Sequence, residues 1–236
     1  MLKFSRPTLV TITAPTCSGK NYLRDHLEKD FGWTRIVSTT TRAARKGEVD
    51  GEDYRFISIE ESKDLEARGL FAELISFRGV RYGVTKAEMA MKIRAQVAPM
   101  VILEPKGLEI YKTMCRENNW DVFSIYIHTP EDVRLKRLTE RTCVEIQAAA
   151  VENYTNGGAD SLRTRGDTFF AIEKIIKTHT DRIQSIVGEE RLWSNQNNWN
   201  AIVPGDNLVK ALEMVQQGVK WKNRQNETPT PYTHVV

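Results

Sequence analysis

Along this chain, short runs of β-branched and aliphatic residues alternate with longer stretches whose apolar positions recur at helical spacing. The first run, Leu9-Val10-Thr11-Ile12-Thr13, predicts a strand over 8–13, and Tyr22, Leu23, His26 and Leu27 predict a helix over 20–29. A polar, turn-rich segment with short strands runs through 77, followed by a helix over 85–95, a strand over 100–104 and a helix over 107–116. Next come a strand over 122–127, a helix over 131–140 and a connecting region to about 166. A helix over 168–187, a strand over 201–203 and a helix over 207–219 complete the pattern. Strands that alternate with helices imply an α/β fold on a parallel sheet with right-handed crossovers. The segment from Ser38 to about Lys92 interrupts that alternation.

Between the first strand and the first helix lie Ala14, Pro15, Thr16, Cys17, Ser18, Gly19, Lys20 and Asn21. A small-residue loop ending in Gly-Lys in this context is the form of a phosphate-binding P-loop. Its N–H groups point at phosphate oxygens, the helix adds its positive end, and Lys20 places a charge on the β- and γ-phosphates of ATP. The usual pattern opens on Gly and closes on Ser or Thr. Ala14 stands at the first of these positions and Asn21 at the last. Asn21 lacks a hydroxyl but offers a carbonyl oxygen, a hard ligand suited to Mg²⁺. On its own the segment also reads as an ordinary strand–turn–helix connection.

Residues 38–56 carry Ser38, Arg42, Arg45 and Tyr54 in the order Ser-Thr-Thr-Thr-Arg-Ala-Ala-Arg-Lys-Gly-Glu-Val-Asp-Gly-Glu-Asp-Tyr-Arg-Phe. Two guanidinium forks and a phenol are suited to clamping a phosphate. The stretch resembles the monophosphate-binding segment of guanylate kinases, Ser-x-Thr-Thr-Arg-x-Pro-Arg-x-Gly-Glu-x-x-Gly-x-Asp-Tyr-x-Phe, with Ala44 where the family has Pro. Residues 71–83 look like the family's Phe-x-Glu…Gly-x-x-Tyr-Gly. By that resemblance Glu73 reads the guanine edge, where N1–H and the 2-amino group are both donors, and Tyr82 joins the phosphate clamp. After Gly83 the family carries Ser or Thr, and this chain carries Val84.

The resemblance loosens further on. Glu104 falls on the first Asp of the family's Asp-x-Asp and Lys106 on the second. Arg137-Leu138-Thr139-Glu140-Arg141 looks like the lid sequence, with Arg165 as the next lid arginine and Arg163 as its alternative. Ile202-Val203-Pro204-Gly205-Asp206-Asn207-Leu208 resembles the family's last strand, without its Asn. The resemblance therefore implies a P-loop NTPase three-layer fold with a monophosphate-binding lobe over 38–92 and a lid over 138–166, in a domain over 1–222 followed by a mobile tail over 223–236. It implies ATP- and Mg²⁺-dependent phosphorylation of GMP or dGMP, with Lys20, Arg137, Arg141 and Arg165 as the catalytic cations. Two alternatives stand beside it: a catalytically silent binding module of the same fold, and a monophosphate kinase of altered base choice.

A chain of 236 residues that is 40% hydrophobic and 28% charged is long enough for a full core and reads as globular. No apolar run reaches the roughly 20 residues of a membrane span, and no signal-peptide pattern opens the chain, so a cytoplasmic protein (of a host, if virus-encoded) is expected. Three scattered cysteines and four histidines indicate neither a disulfide framework nor a zinc site. A net charge of +3 gives no reason to invoke nucleic acid. Oligomeric state is left open. The polar run 193–200 reads as a surface connection.

Overall fold

The computed structural model describes residues 2–45, 47–77, 79–94, 98–103, 105–157, 168–181, 183 and 199–227. Glu104, Arg163, Arg165, the polar run up to 198 and the tail from 228 lie outside them, as does the side chain of Lys106. The chain forms two compact units: Met1–Thr13 with Lys20–Ile127 and Asn198–Val236, and Ala14–Gly19 with His128–Asn197.

Strand β1 (Thr8–Thr13) is buried along its whole length, as a β-branched run flanked on both edges must be. It pairs in parallel with β7 (Pro99–Ile102) and with β8 (Asp121–His128), and β7 pairs in parallel with β2 (Thr34–Arg35). With β9 (Ala201–Pro204) the order is β2-β7-β1-β8-β9. Helices α1 (Lys20–Phe31) and α4 (Pro105–Glu117) follow β1 and β7 in the chain. A second sheet of order β4-β3-β6-β5 joins β3 (Thr39–Thr40), β4 (Arg55–Phe56), β5 (Phe71–Phe77) and β6 (Val80–Thr85). It occupies the stretch where the strand–helix alternation breaks. A single core cluster contains Leu9 of the first sheet, Val84 of the second, Met89 of α3 (Lys86–Arg94), and Leu108, Tyr111 and Cys115 of α4.

Four elements differ from the sequence reading. Helix α2 (Ile59–Ala67) sits where only short strands are expected. Its signal is a capping box: Ser58 accepts from the Glu61 N–H, with Glu60 and Glu61 in the first turn. Residues 80–85 form β6, paired antiparallel with β5, so the helix expected from 85 begins at Lys86. Helix α5 (Glu131–Gly157) does not stop at 140, because no glycine or proline interrupts it and Ala148, Ala149 and Ala150 favour its continuation. The last helix, α7 (Leu208–Glu227), passes the expected domain end at 222. Asn223 accepts from the Ser5 N–H at 2.8 Å and donates to the Lys3 carbonyl at 3.0 Å, and Asn226 donates to Asp121 at 3.0 Å. Helix α6 covers 168–181.

Two backbone positions make stability predictions. A Cβ on Gly83 would lie 2.5 Å from the Glu73 carbonyl oxygen and 2.9 Å from Phe71 Cδ1, so Gly83→Ala overpacks the β5–β6 pair. We expect it to lower the unfolding free energy by about 1–3 kcal/mol in urea melts. Cys17 has φ of 63°, a left-handed conformation that costs an ordinary residue about 1–2 kcal/mol. In the same melts Cys17→Gly should raise stability by up to about 1 kcal/mol after its own entropic cost, whereas β-branched Cys17→Val should lower it by about 1 kcal/mol or more.

Candidate active site

In the first unit, the turn-rich loop after β3 places Arg42 in a closed arrangement. Its Nη1 and Nη2 donate to the two Glu48 oxygens, both at 2.9 Å, and Nη1 also donates to the Ala43 carbonyl at 2.6 Å. The guanidinium lies 5.4 Å from the Tyr54 ring centre and 5.7 Å from that of Phe56. Burial works against the charge of Arg42, but the Glu48 bonds outweigh it and its pKa is raised. Burial likewise opposes Glu48 ionisation, and its bonds to Arg42 and to the Arg45 N–H hold the pKa below the usual carboxylate value. Arg45 donates its backbone N–H to Glu48 at 2.7 Å while its side chain stays largely exposed. Sequence reasoning assigned Glu48 no role, although its position three residues after Arg45 is the signal.

Tyr54 stands beside Tyr82, with ring centres 6.2 Å apart, so two of the expected clamp phenols are neighbours. Burial and Tyr82 raise the Tyr54 pKa, while Arg42, Arg45 and Arg24 pull it down. Three guanidinium groups thus act on one phenol. The third, Arg24 of α1, is buried and pairs with Asp25 at 2.9 Å and Asp53 at 3.7 Å. Nothing in the sequence reading marked it. Ser38 lies just before β3, and its carbonyl accepts from the Arg55 N–H at 2.9 Å.

Glu73 lies on β5, 8% exposed, where a bulge follows Phe71 and Val84 of β6 is its register partner. Burial pushes its pKa up to about 7, offset only in part by the nearby Tyr111 hydroxyl. No cation among the described residues acts on it. Gly107, in the first turn of α4, leaves room for the carboxylate: a Cβ there would lie 3.4 Å from Glu73 Oε1.

In the second unit, Ala14 is fully buried, Ser18 donates its N–H to the Pro15 carbonyl at 3.4 Å, and Cys17 and Gly19 turn the loop through φ of 63° and 92°. Left-handed residues that alternate with others along a turn, as Cys17 and Gly19 do, are the kind of backbone that can present N–H groups to an anion. Thr129 donates to the Ser18 carbonyl at 3.2 Å and Arg137 Nη1 to the Cys17 carbonyl at 3.2 Å. Arg141, one turn on from Arg137, lies 3.6 Å from Glu145, which is bonded at 2.8 Å to buried His179. Lys20 and Asn21, the last two loop positions, open α1 in the first unit, with Asn21 exposed.

The chain matches the guanylate kinase family pattern over residues 6–157. It is 29% identical over 165 residues to a guanylate kinase of Chlamydia trachomatis, covering 63% of this chain and 78% of that one. Against the guanylate kinase of Anaplasma phagocytophilum identity is 29% over 197 residues, covering 81% and 90%. The crystal structure of guanylate kinase from Anaplasma phagocytophilum shares the fold at a TM-score of 0.57 and 21% identity, over 94% of this chain and 89% of that one. With the family pattern spanning more than half its length, on the same fold, the chain belongs to the guanylate kinase family of P-loop nucleoside monophosphate kinases.

Proposed function

We propose that this protein transfers the γ-phosphoryl group of ATP to GMP or dGMP, giving the nucleoside diphosphate. The observation that carries the base assignment is Glu73, a carboxylate held out of water with no cation acting on it among the described residues. A guanine edge supplies two donors to such a group, and adenine offers no such pair.

Each remaining role follows from chemistry already present. Glu48 takes the Nη1/Nη2 end of Arg42, which leaves the Nε–H and one Nη2–H along the other edge as a fork for the acceptor phosphate. Arg45, Tyr54 and Tyr82 complete that clamp. Lys20 and backbone N–H groups of the 14–19 loop other than that of Pro15, which has none, hold the donor phosphates, and Arg137 and Arg141 neutralise charge that develops on the transferring group. Glu104 and Arg165 keep the roles the resemblance implies, as a monophosphate-binding residue and a lid cation, and Ser38 joins Glu73 as a base contact. Asn21, exposed in the first turn of α1, fits Mg²⁺ as a single carbonyl ligand, since that ion keeps most of its shell as waters and phosphate oxygens. The bound ion neutralises charge on the phosphates. Among the described residues no helix is long and apolar enough to cross a membrane, which agrees with a cytoplasmic site of action.

The test is ATP consumption with each ribo- and deoxyribonucleoside monophosphate in turn. GMP or dGMP should give the highest kcat/KM, and Lys20→Ala should lower kcat by several orders of magnitude without loss of fold. A best acceptor of AMP, CMP or a thymidine nucleotide would overturn the base assignment, and activity retained by Lys20→Ala would overturn the role of the loop.

A pH dependence follows from Glu73. Its carboxyl titrates near 7 and must be ionised to accept two hydrogen bonds, so KM for GMP should fall as pH rises from about 6 to 8. The folded-state pKa lies above the usual 4.5, so this group's contribution to stability is complete below 4.5 and is lost as pH rises through about 7. Glu73→Gln should therefore flatten the KM profile while making the free protein more stable at pH 8.

A further inference from the structure

Tyr111 sits in the middle of α4, 1% exposed, in the cluster formed with Val84, Leu108 and Cys115. Its ring belongs to the core, but its hydroxyl finds no hydrogen-bond partner of normal geometry among the described residues. One turn earlier on α4, a Cβ at Gly107 would lie 3.4 Å from Glu73 Oε1, so this helix runs against the carboxylate, and the Tyr111 hydroxyl is near enough to act on it. Phenylalanine would fill the same space without burying an unpaired polar group, so packing does not account for the oxygen. Across the strand pair, Val84 is the register partner of Glu73 and offers no hydroxyl. The hydroxyl that acts on the carboxylate comes instead from α4.

We infer that Tyr111 is a positioning residue for base recognition: its hydroxyl donates to Glu73 and turns the carboxylate so that its remaining lone pairs meet two donors of the purine. This rests on the guanine reading of Glu73. A carboxylate has about four acceptor directions, so one bond from Tyr111 leaves enough for the N1–H and the 2-amino group. The hydroxyl is close to satisfied only when Glu73 is ionised and a base is bound, which accounts for its unpaired state in the free protein.

The experiment is Tyr111→Phe, which keeps the ring and removes one oxygen. It is read by calorimetric titration of GMP and of inosine monophosphate, which lacks the 2-amino group, alongside steady-state kinetics. The expected result is a GMP affinity about tenfold weaker, a smaller preference for GMP over the inosine nucleotide, and unchanged kcat at saturation and KM for ATP. The unliganded protein should melt at the same temperature or higher, because an unpaired buried group has been removed. GMP affinity within twofold of the parent, or a lower melting temperature with losses spread over both substrates, would overturn the assignment. Glu73→Gln separates the two levels. If it too leaves GMP affinity unchanged, the guanine reading fails and takes this inference with it. If it weakens GMP where Tyr111→Phe does not, only the role of Tyr111 falls.

Discussion

A carboxylate kept out of water on β5, with α4 beside it, is the constraint on which the proposed specificity depends. Burying Glu73 without a cation is unfavourable, and the fold accepts that through a set of local concessions. The β5 bulge sets its register against Val84, and Gly83 lets β6 approach its backbone. Each of these gives up some packing or backbone preference near one oxygen pair. Stability spent in this way is typical of positions retained for a ligand.

The residues proposed to handle phosphate show the opposite logic, with charges arranged in mutual support. Glu48 holds Arg42 by one edge and Arg45 through its backbone, while Asp53 pairs with buried Arg24. The acidic partners order the guanidiniums beside Tyr54. In the second unit, carbonyls of the loop accept from Thr129 and Arg137, so the turn is pinned from outside. Cys17 accepts a strained conformation within that turn.

Much of this was legible in the sequence, for definite reasons. β1 and α1 were readable because a β-branched run and a 3.6-residue period are local signals, and the loop between them carries a spacing with a mechanism. Arg42, Tyr54, Glu73 and Tyr82 stood out as candidates because they sit in two dense segments that resemble a family pattern. α2 was missed although Ser58 and Glu61 announce it, since the surrounding segment suggested strands. β6 was missed because its partner across the hairpin, not its own composition, makes it a strand. Glu48 carried a local signal that went unused, whereas Arg24 and Tyr111 gain their meaning only from tertiary contacts: an aspartate in a distant loop, and a carboxylate on another element. Arg165 and Glu104 lie outside the described residues.

The most direct test of the central claim counts protons. If free Glu73 titrates near 7 and meets the base as a carboxylate, GMP binding at pH 7 must release about half a proton from this group. Calorimetry in buffers of different ionisation enthalpy measures that release, and the difference between the parent and Glu73→Gln isolates it from the titration of the nucleotide phosphate. The account predicts a difference of about half a proton that shrinks toward zero by pH 9. Equal proton release by the two proteins at pH 7 would contradict it.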